Sequence, residues 1–315
     1  MSQQRTYPIA LAHGIARFDF LRESFRLKSQ KLFGNVFDEI LLHLARHGIK
    51  VPTDSLHYFR GILTALEDEG FDAHHTRVSF ARSLETRARD LKDQIDGIIN
   101  ATGARKVHVI AHSMGGLDTR FMIAKLGMAD RVASLTTIGT PHLGTSLADH
   151  KLNERGGSEL IELLSRAIDL RGFENLTRAA CQQFNESVRN AEATNEVFYQ
   201  TYASAEERRM VFTFLQLAWD VINQAEGEND GLVSIRSQAW QPELTADDGT
   251  SKRIEQKRFP VPADHLNEVG WWDLNEINGK GPLHRLGARE HYESAVRQVY
   301  LGIARDLAGR FPAAA

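Results

Sequence analysis

The sequence predicts an α/β protein in which a mostly parallel central sheet is flanked by helices. Short apolar runs rich in β-branched residues alternate along the chain with amphipathic segments, which is the pattern of successive βαβ units. In the stretch 106–116, a buried-strand pattern leads directly into a turn of small residues around Ser113 and then into a helix. The chain has 315 residues, 42% of them hydrophobic and 25% charged, which suits a single domain over 1–315 with insertions.

The predicted elements follow one another in the order that such a sheet requires. Strands are predicted at 7–12, 71–78, 107–112, 132–139 and 196–203. Helices are predicted at 58–70, from Ser83 to about Gly103, around 118–125 and at about 291–307. The polar segment 241–257 is predicted to be an exposed loop.

Two helical insertions are predicted within this order. The segment from about 21 to 53 has an amphipathic pattern, and its role stays open. The segment from about 146 to 195 lacks strand signals and contains amphipathic helices. A helical segment inserted between strands of such a sheet is a usual place for a lid over a site at the sheet edge. A pair of ordinary packing helices is the alternative interpretation of this second insertion.

The charge balance excludes one class of partner. The formal net charge is −3, and we expect no nucleic-acid binding. Three arginines, Arg82, Arg87 and Arg89, are interleaved with Glu85 and Asp90. We therefore predict that these residues form a solvated helix face.

The single cysteine, Cys181, excludes an intramolecular disulfide and is predicted to be a small apolar residue within a helix. Residues 1–8 lack the apolar stretch of a signal peptide, and the longest apolar run, 210–222, is too short to span a membrane. A cytoplasmic protein, a mature secreted form and a protein exported without an N-terminal signal all fit these observations. The oligomeric state stays open.

The turn around Ser113 has the features of a nucleophile elbow. In such a turn, a strained backbone exposes the serine hydroxyl, and the N–H of the next residue, here Met114, faces a developing oxyanion. Ala111 stands where the pattern G-x-S-x-G has its first glycine, and Gly115 supplies the second. Alanine is small enough for this position, so we treat the difference as minor.

A second oxyanion donor is predicted near the start of the chain. The first strand ends in His13, Gly14 and Ile15. A His-Gly pair after an early strand is where many α/β-hydrolases place this donor, and Gly14 allows a close approach of the backbone. The backbone N–H of Ile15 is therefore the expected partner of the Met114 N–H.

A serine nucleophile needs an imidazole to take its proton and a carboxylate to orient the imidazole. In α/β-hydrolases these groups follow in the order Ser, acid, His. Ser113, Asp230 and His265 satisfy that order. Other acids and histidines compete for the same roles: Asp220, Glu226, Glu228, Asp247, Asp248, Asp264, His284 and His291. Of these, Asp264 adjoins His265, so we expect its side chain to diverge from the ring.

Five segments resemble, in order, the signature segments of the bacterial triacylglycerol lipases: 11–19, 109–116, 138–145, 229–234 and 265–269. Members of that family have the α/β-hydrolase fold and act on long-chain acylglycerols under a helical lid. The resemblance implies that Ser113 is the nucleophile, Asp230 the acid and His265 the base. It also implies that the N–H groups of Ile15 and Met114 form the oxyanion hole.

The chain departs from that family in two features that concern its cofactors and covalent links. Many members bind a structural calcium through an aspartate two residues after the catalytic histidine. Here that position is Asn267, which keeps an oxygen but loses the charge. Secreted members often carry a disulfide, which one cysteine cannot form. We expect no cofactor and leave calcium out of the predicted site.

The sequence therefore predicts a carboxylic-ester hydrolase of lipase type that forms an acyl-enzyme on Ser113. The expected partner is a lipid or ester substrate, met at a lipid–water interface. A short-chain carboxylesterase and an acyltransferase on the same fold are the alternatives, because both would use the same triad. A catalytically silent binding module would have lost a triad residue, and none is lost here.

Overall fold

The fold was analysed in a computed structural model, which describes residues 6–15, 57–79, 83–153, 170–272 and 282–312. The predicted insertion at 21–53 lies outside the described residues, and so do residues 154–169 of the predicted insertion at 146–195. The division of 1–315 into a domain with two insertions therefore stays a prediction.

A parallel sheet of six strands forms the centre of the described part of the chain. The strands among the described residues, numbered β1 to β8, are Ile9–Ala12, Ala73–His75, Val107–His112, Val132–Ile138, Phe198–Ala203, Glu243–Thr245, Ser251–Arg253 and Glu255–Arg258. The sheet order is β2-β1-β3-β4-β5-β8, and every neighbouring pair is parallel. Strands β6 and β7 form a separate antiparallel hairpin.

The helices cover both faces of this sheet. Numbered α1 to α8, they are Ile62–Asp68, Leu84–Thr102, Met114–Lys125, Ser146–Asn153, Arg178–Thr194, Gln216–Glu226, Ile235–Ala239 and Pro282–Arg310. Side chains alternate along β1, so Ile9 and Leu11 pack in one apolar layer with α1 and α8. Ala10 and Ala12 belong to the opposite layer, which α2 covers. No helix in the described part of the chain combines the length and apolarity needed to cross a membrane.

The predicted α/β fold with a parallel sheet is confirmed, and one local prediction is wrong. The segment 241–257 is largely exposed, as predicted, but it is not a loop. It contains β6, β7 and most of β8, which extends the sheet beside β5. Leu244 and Ile254 anchor the segment in the core. The strand signal is weak because β8 reads Glu-Gln-Lys-Arg and joins the sheet edge through its backbone.

Candidate active site

Ser113 stands at the sharp turn between β3 and α3. Its backbone has φ +57° and ψ −135°, a left-handed conformation that is strained for a residue with a side chain. A Cβ on Gly115 would lie 2.6 Å from the carbonyl oxygen of Ala12, so the turn packs directly against β1. Thr140 Oγ1 donates a 2.8 Å hydrogen bond to the carbonyl of Ser113. The strained serine is therefore held from two sides.

The structure brings the three predicted triad residues together. Ser113 Oγ lies 2.8 Å from Nε2 of His265, and Nδ1 of His265 lies 2.8 Å from Oδ2 of Asp230. All three side chains are buried. They come from the end of β3, the loop after α6 and the loop before α8. The two hydrogen bonds join Ser113 to His265, 152 positions apart in the chain, and His265 to Asp230, 35 positions apart.

The carboxylate of Asp230 is fixed by further donors. Its Oδ1 accepts backbone N–H bonds from Leu232 at 2.8 Å and Val233 at 2.7 Å. Its Oδ2 accepts the side-chain N–H of Gln238 at 3.1 Å. The backbone N–H of His265 also donates to the Asp230 carbonyl at 2.9 Å. The acid and the histidine therefore share both a side-chain and a backbone connection.

The predicted oxyanion residues lie beside the serine. Met114 is the first residue of α3, where a backbone N–H has no acceptor within the helix. Ile15 lines the same cavity as Ser113. A Cβ on Gly14 would lie 2.9 Å from Ser113 Oγ, which explains why this position requires glycine. The assignment of Ile15 and Met114 as oxyanion donors stays a prediction.

Arg87 corrects the predicted solvated face of α2, because its side chain is fully buried. It forms a bidentate ion pair with Asp118 of α3, with Nη2 at 2.6 Å from Oδ2. The same Nη2 donates to the carbonyl of His13 at 3.1 Å. Burial raises the pKa of Asp118 to about 6 against the opposing effect of Arg87. This pair links α2 and α3 to the loop that carries Ile15.

A second buried cluster lies behind the histidine. His112 Nε2 is 2.9 Å from Oε2 of Glu268, and Tyr58 Oη is 2.7 Å from His112 Nδ1. Glu268 Oε2 also lies 3.8 Å from Nδ1 of His265. Burial lowers the pKa of His112 well below its usual value and raises the pKa of Glu268 well above its own, helped by the charge of Asp230. Burial therefore favours the neutral form of both groups.

The cluster of His112, His265 and Glu268 also has the ligand types of a metal site, with its ligand atoms within 4.8 Å of one another. However, His265 Nδ1 is hydrogen-bonded to Asp230. A metal at this position would have to displace Asp230 from the histidine. The cluster is better explained as part of the hydrogen-bonded network around His265.

An apolar cavity opens beside Ser113, with about 510 Å³ of empty space that includes its opening to solvent. Its walls come from loops and from two 3₁₀ segments, Leu170–Leu176 and Thr213–Leu215. The lining side chains that matter here are Phe173, Leu176, Phe214, Leu215, Leu232 and Leu266. The serine hydroxyl therefore faces a space suited to an apolar chain.

The competing acids and histidines have other partners or positions. Asp220 pairs with Arg208, Asp247 with Arg189, and Glu228 with Arg258. Glu226 accepts bonds from Ser146 and Ser234, and Asp248 accepts the N–H of Thr250. Asp264 accepts three backbone N–H groups, and its side chain diverges from the ring as predicted. His284 lies in the first turn of α8, and His291 is exposed on that helix.

Comparisons with known proteins agree with this geometry. A family model described as alpha/beta hydrolase fold matches residues 47–201. Triacylglycerol lipase 2 of Saccharomyces cerevisiae is 26% identical over 282 residues, which cover 84% of this chain and 80% of that protein. A triacylglycerol lipase of Vibrio cholerae is 31% identical over 146 residues, which cover 46% of this chain and 36% of the bacterial protein. The chain is therefore similar to the α/β-hydrolases and to proteins named triacylglycerol lipase.

The fold of this chain is also found in a solved structure. A Bacillus licheniformis lipase in mature form superimposes with a TM-score of 0.56 at 17% identity, covering 84% of this chain and 86% of that one. At this identity the likeness concerns the fold alone. The similarity to the α/β-hydrolase model and to the triacylglycerol lipases supports an ester hydrolase of lipase type.

Several residues around the site of this hydrolase were not singled out from the sequence. Arg87 has the spacing of the buried face of α2, four residues before Leu91 and eight before Ile95, so the helical period contained the signal. Glu268 lies three residues after His265, inside one of the quoted lipase segments. No local pattern marks Gln238, because its contact with Asp230 depends on the folded turn.

Proposed function

We propose that this chain hydrolyses fatty-acyl esters through Ser113, His265 and Asp230, with acylglycerols as substrates. The observation that carries the proposal is the line of two 2.8 Å hydrogen bonds from Ser113 Oγ through His265 to Asp230. This line places His265 Nε2, a proton acceptor, next to the serine hydroxyl. The bond from His265 Nδ1 to Asp230 orients the imidazole ring. The strained backbone of Ser113 supports the same role, because such strain is typical of a nucleophile elbow.

The proposed reaction has two halves. Ser113 Oγ attacks the ester carbonyl while His265 Nε2 takes the hydroxyl proton, and the tetrahedral intermediate places its oxyanion near the N–H groups of Ile15 and Met114. Collapse expels the alcohol, which receives the proton from His265, and leaves an acyl-serine. A water molecule then loses a proton to His265, attacks the acyl group and releases the acid. Asp230 keeps the imidazole oriented and stabilises its cationic form throughout.

The cavity supports a substrate with an apolar acyl chain. Leucine and phenylalanine side chains dominate its walls, and the polar groups that face it include Ser113 and His265. Burial of each methylene favours binding by about 0.8 kcal/mol, so longer chains gain affinity until the cavity is filled. The curated relatives are named as triacylglycerol lipases, which supports acylglycerols at a lipid–water interface as the substrate class.

The residues present do not fit the calcium site found in many lipases of this kind. Asn267 accepts the backbone N–H of Asp264 at 3.1 Å and donates to the carbonyl of Trp271 at 2.8 Å. Both ends of the Asn267 amide are therefore used in hydrogen bonds to the backbone. The charged carboxylate oxygen that would bind calcium at this position is absent. We expect dialysis against EDTA to leave both the activity and the melting temperature unchanged, and added Ca²⁺ to restore nothing.

The proposal is tested with a panel of p-nitrophenyl esters from butyrate to palmitate, assayed on the wild-type chain and on Ser113→Ala. The variant is expected to lose about 10⁴-fold or more in kcat, while circular dichroism shows an unchanged fold. Full activity of Ser113→Ala would overturn the proposal. A preference for butyrate over all longer esters would favour the carboxylesterase alternative. Transfer of the acyl group to added glycerol in place of water would favour an acyltransferase.

A further inference from the structure

Asp264 precedes the proposed general base and is completely buried. Its Oδ1 accepts the backbone N–H groups of Leu266 at 2.9 Å and Asn267 at 2.8 Å. These bonds close the turn that follows His265 and begin the 3₁₀ segment Asn267–Val269. Asn267 Oδ1 accepts the N–H of Asp264 in return, at 3.1 Å. The two side chains thus form a reciprocal cap on either side of His265 and Leu266.

The second oxygen of Asp264 reaches a different part of the chain. Oδ2 accepts the backbone N–H of Phe212 at 2.7 Å. Phe212 directly precedes the 3₁₀ turn Thr213–Leu215, and its carbonyl accepts the N–H of Leu215 at 2.7 Å. Phe214 and Leu215 line the cavity beside Ser113. One carboxylate therefore holds both the turn of the histidine and the start of a cavity wall.

We propose that Asp264 is a positioning residue that joins His265 and the Phe212–Leu215 wall into one unit. This inference rests on the proposed function, because it assigns the wall to acyl-chain binding and His265 to proton transfer. Burial raises the pKa of the Asp264 carboxyl to about 8. In either protonation state, three backbone N–H donors leave this buried group little freedom to move. Leu266 also lines the cavity, so the histidine turn and the wall enclose the same space.

Two substitutions separate the two halves of this role. Asp264→Ser keeps an oxygen that caps the turn after His265, but its short side chain does not reach the Phe212 N–H. Asp264→Ala removes both connections. Asp248→Ser is the matched control, because Asp248 is an exposed carboxylate that accepts the backbone N–H of Thr250 in the remote β6–β7 hairpin. Each variant is assayed with p-nitrophenyl butyrate and p-nitrophenyl octanoate, and its melting temperature is measured.

We expect Asp264→Ala to lose about 10- to 100-fold in kcat on both esters, because a displaced base is costly. Asp264→Ser is expected to recover kcat on butyrate to within about threefold of the wild type. The ratio of its KM for octanoate to its KM for butyrate should be about 5- to 10-fold higher than the same ratio in the wild type. The reason is that the Phe212–Leu215 wall has lost its hydrogen bond to Asp264. Asp248→Ser should match the wild type on both esters.

A purely structural role would lower the active fraction of Asp264→Ser and Asp264→Ala equally for both esters, with no change in the ratio of KM values. That result, or wild-type kinetics in Asp264→Ala, would overturn the inference. Labelling with a fluorophosphonate separates this failure from failure of the proposed function. A wild-type chain that is not labelled at Ser113 overturns the proposed function, whereas normal labelling with an unchanged KM ratio overturns the role of Asp264 alone.

Discussion

Glu268 places a second buried carboxyl group within 3.8 Å of the His265 ring nitrogen that Asp230 already occupies. Asp230 has two backbone N–H donors and a glutamine donor, whereas Oε1 of Glu268 has no hydrogen-bond partner among the described residues. An ionised Glu268 would therefore carry an uncompensated charge in the core. This difference in donors favours Asp230 as the carboxylate that orients His265 and favours a protonated carboxyl group at Glu268.

The protonation of Glu268 predicts a pH dependence of stability. Because burial raises its pKa well above the usual value, the unfolded chain loses this proton first as the pH rises. The folded state then binds more protons than the unfolded state, so this group lowers the free energy of unfolding increasingly above about pH 4.5. Glu268→Gln removes the ionisable group and keeps the shape. The melting temperature of Glu268→Gln minus that of the wild type should therefore increase as the pH rises from 5 to 8.

The measurement is the difference in melting temperature between Glu268→Gln and the wild type at each pH. Each kcal/mol added to the free energy of unfolding raises the melting temperature by roughly 2 °C or less in a chain of this size. Glu67→Gln, an exposed glutamate on α1, serves as the control and should show no such trend. A difference that stays constant from pH 5 to 8 would contradict this prediction and would mean that Glu268 is ionised in the folded chain over that range.

At the scale of elements, Arg87 connects α2 and α3 to the loop before Ile15. Arg87→Met keeps much of the side-chain volume but leaves Asp118 buried without its partner. We expect a loss of about 3–5 kcal/mol in the free energy of unfolding. The double variant Arg87→Met/Asp118→Leu should recover most of that stability, because it removes both buried charges. The kcat of both the single and the double variant should be lower than that of the wild type, because the His13 carbonyl has lost the hydrogen bond from Arg87.

Urea unfolding and ester kinetics on the same preparations check this prediction. Arg89→Met is the matched control, because Arg89 pairs with Glu85 on the exposed side of the same helix. Its effect should stay below about 1 kcal/mol. If the double variant recovered kcat together with stability, Arg87 would be a structural residue with no influence on the oxyanion loop.

The sequence patterns predicted most of the elements that build the site. The β-branched run before Ser113, the small residues after it and the order Ser, Asp, His sufficed to select residues that the fold brings into contact. Strand β8 and the buried Arg87 were predicted wrongly for related reasons. The polar residues of β8 join the sheet through backbone bonds, and the charge of Arg87 is buried only because Asp118 meets it from another helix. Such long-range pairing leaves a weak local signal.

For the whole molecule, Cys181 reports on the packing of α5, which belongs to the segment predicted as a lid. The thiol is buried, and burial raises its pKa to about 12. A buried ion pair between Arg120 of α3 and Glu192 anchors the same helix, with Nε at 2.7 Å from Oε1. We therefore expect Ellman's reagent to react with the native chain only when the whole molecule unfolds.

The rate of thiol labelling is compared with the loss of circular dichroism across a urea titration, with and without detergent micelles. Coincident midpoints, unchanged by micelles, are expected because α5 is tied to the core. Rapid labelling on adding micelles, below the unfolding transition, would contradict this and would show that α5 moves with the predicted lid. Addition of a reducing agent should leave the melting temperature unchanged, since the chain has one cysteine.

The central claim is that Ser113 is a nucleophile activated by His265. The most direct test is reaction of the folded chain with a fluorophosphonate, followed by peptide mapping of the modified residue. We predict a single phosphonylated residue, Ser113, and a labelling rate that falls by at least about 10³-fold in His265→Ala. Labelling of another residue, or an equal rate in His265→Ala, would contradict the account.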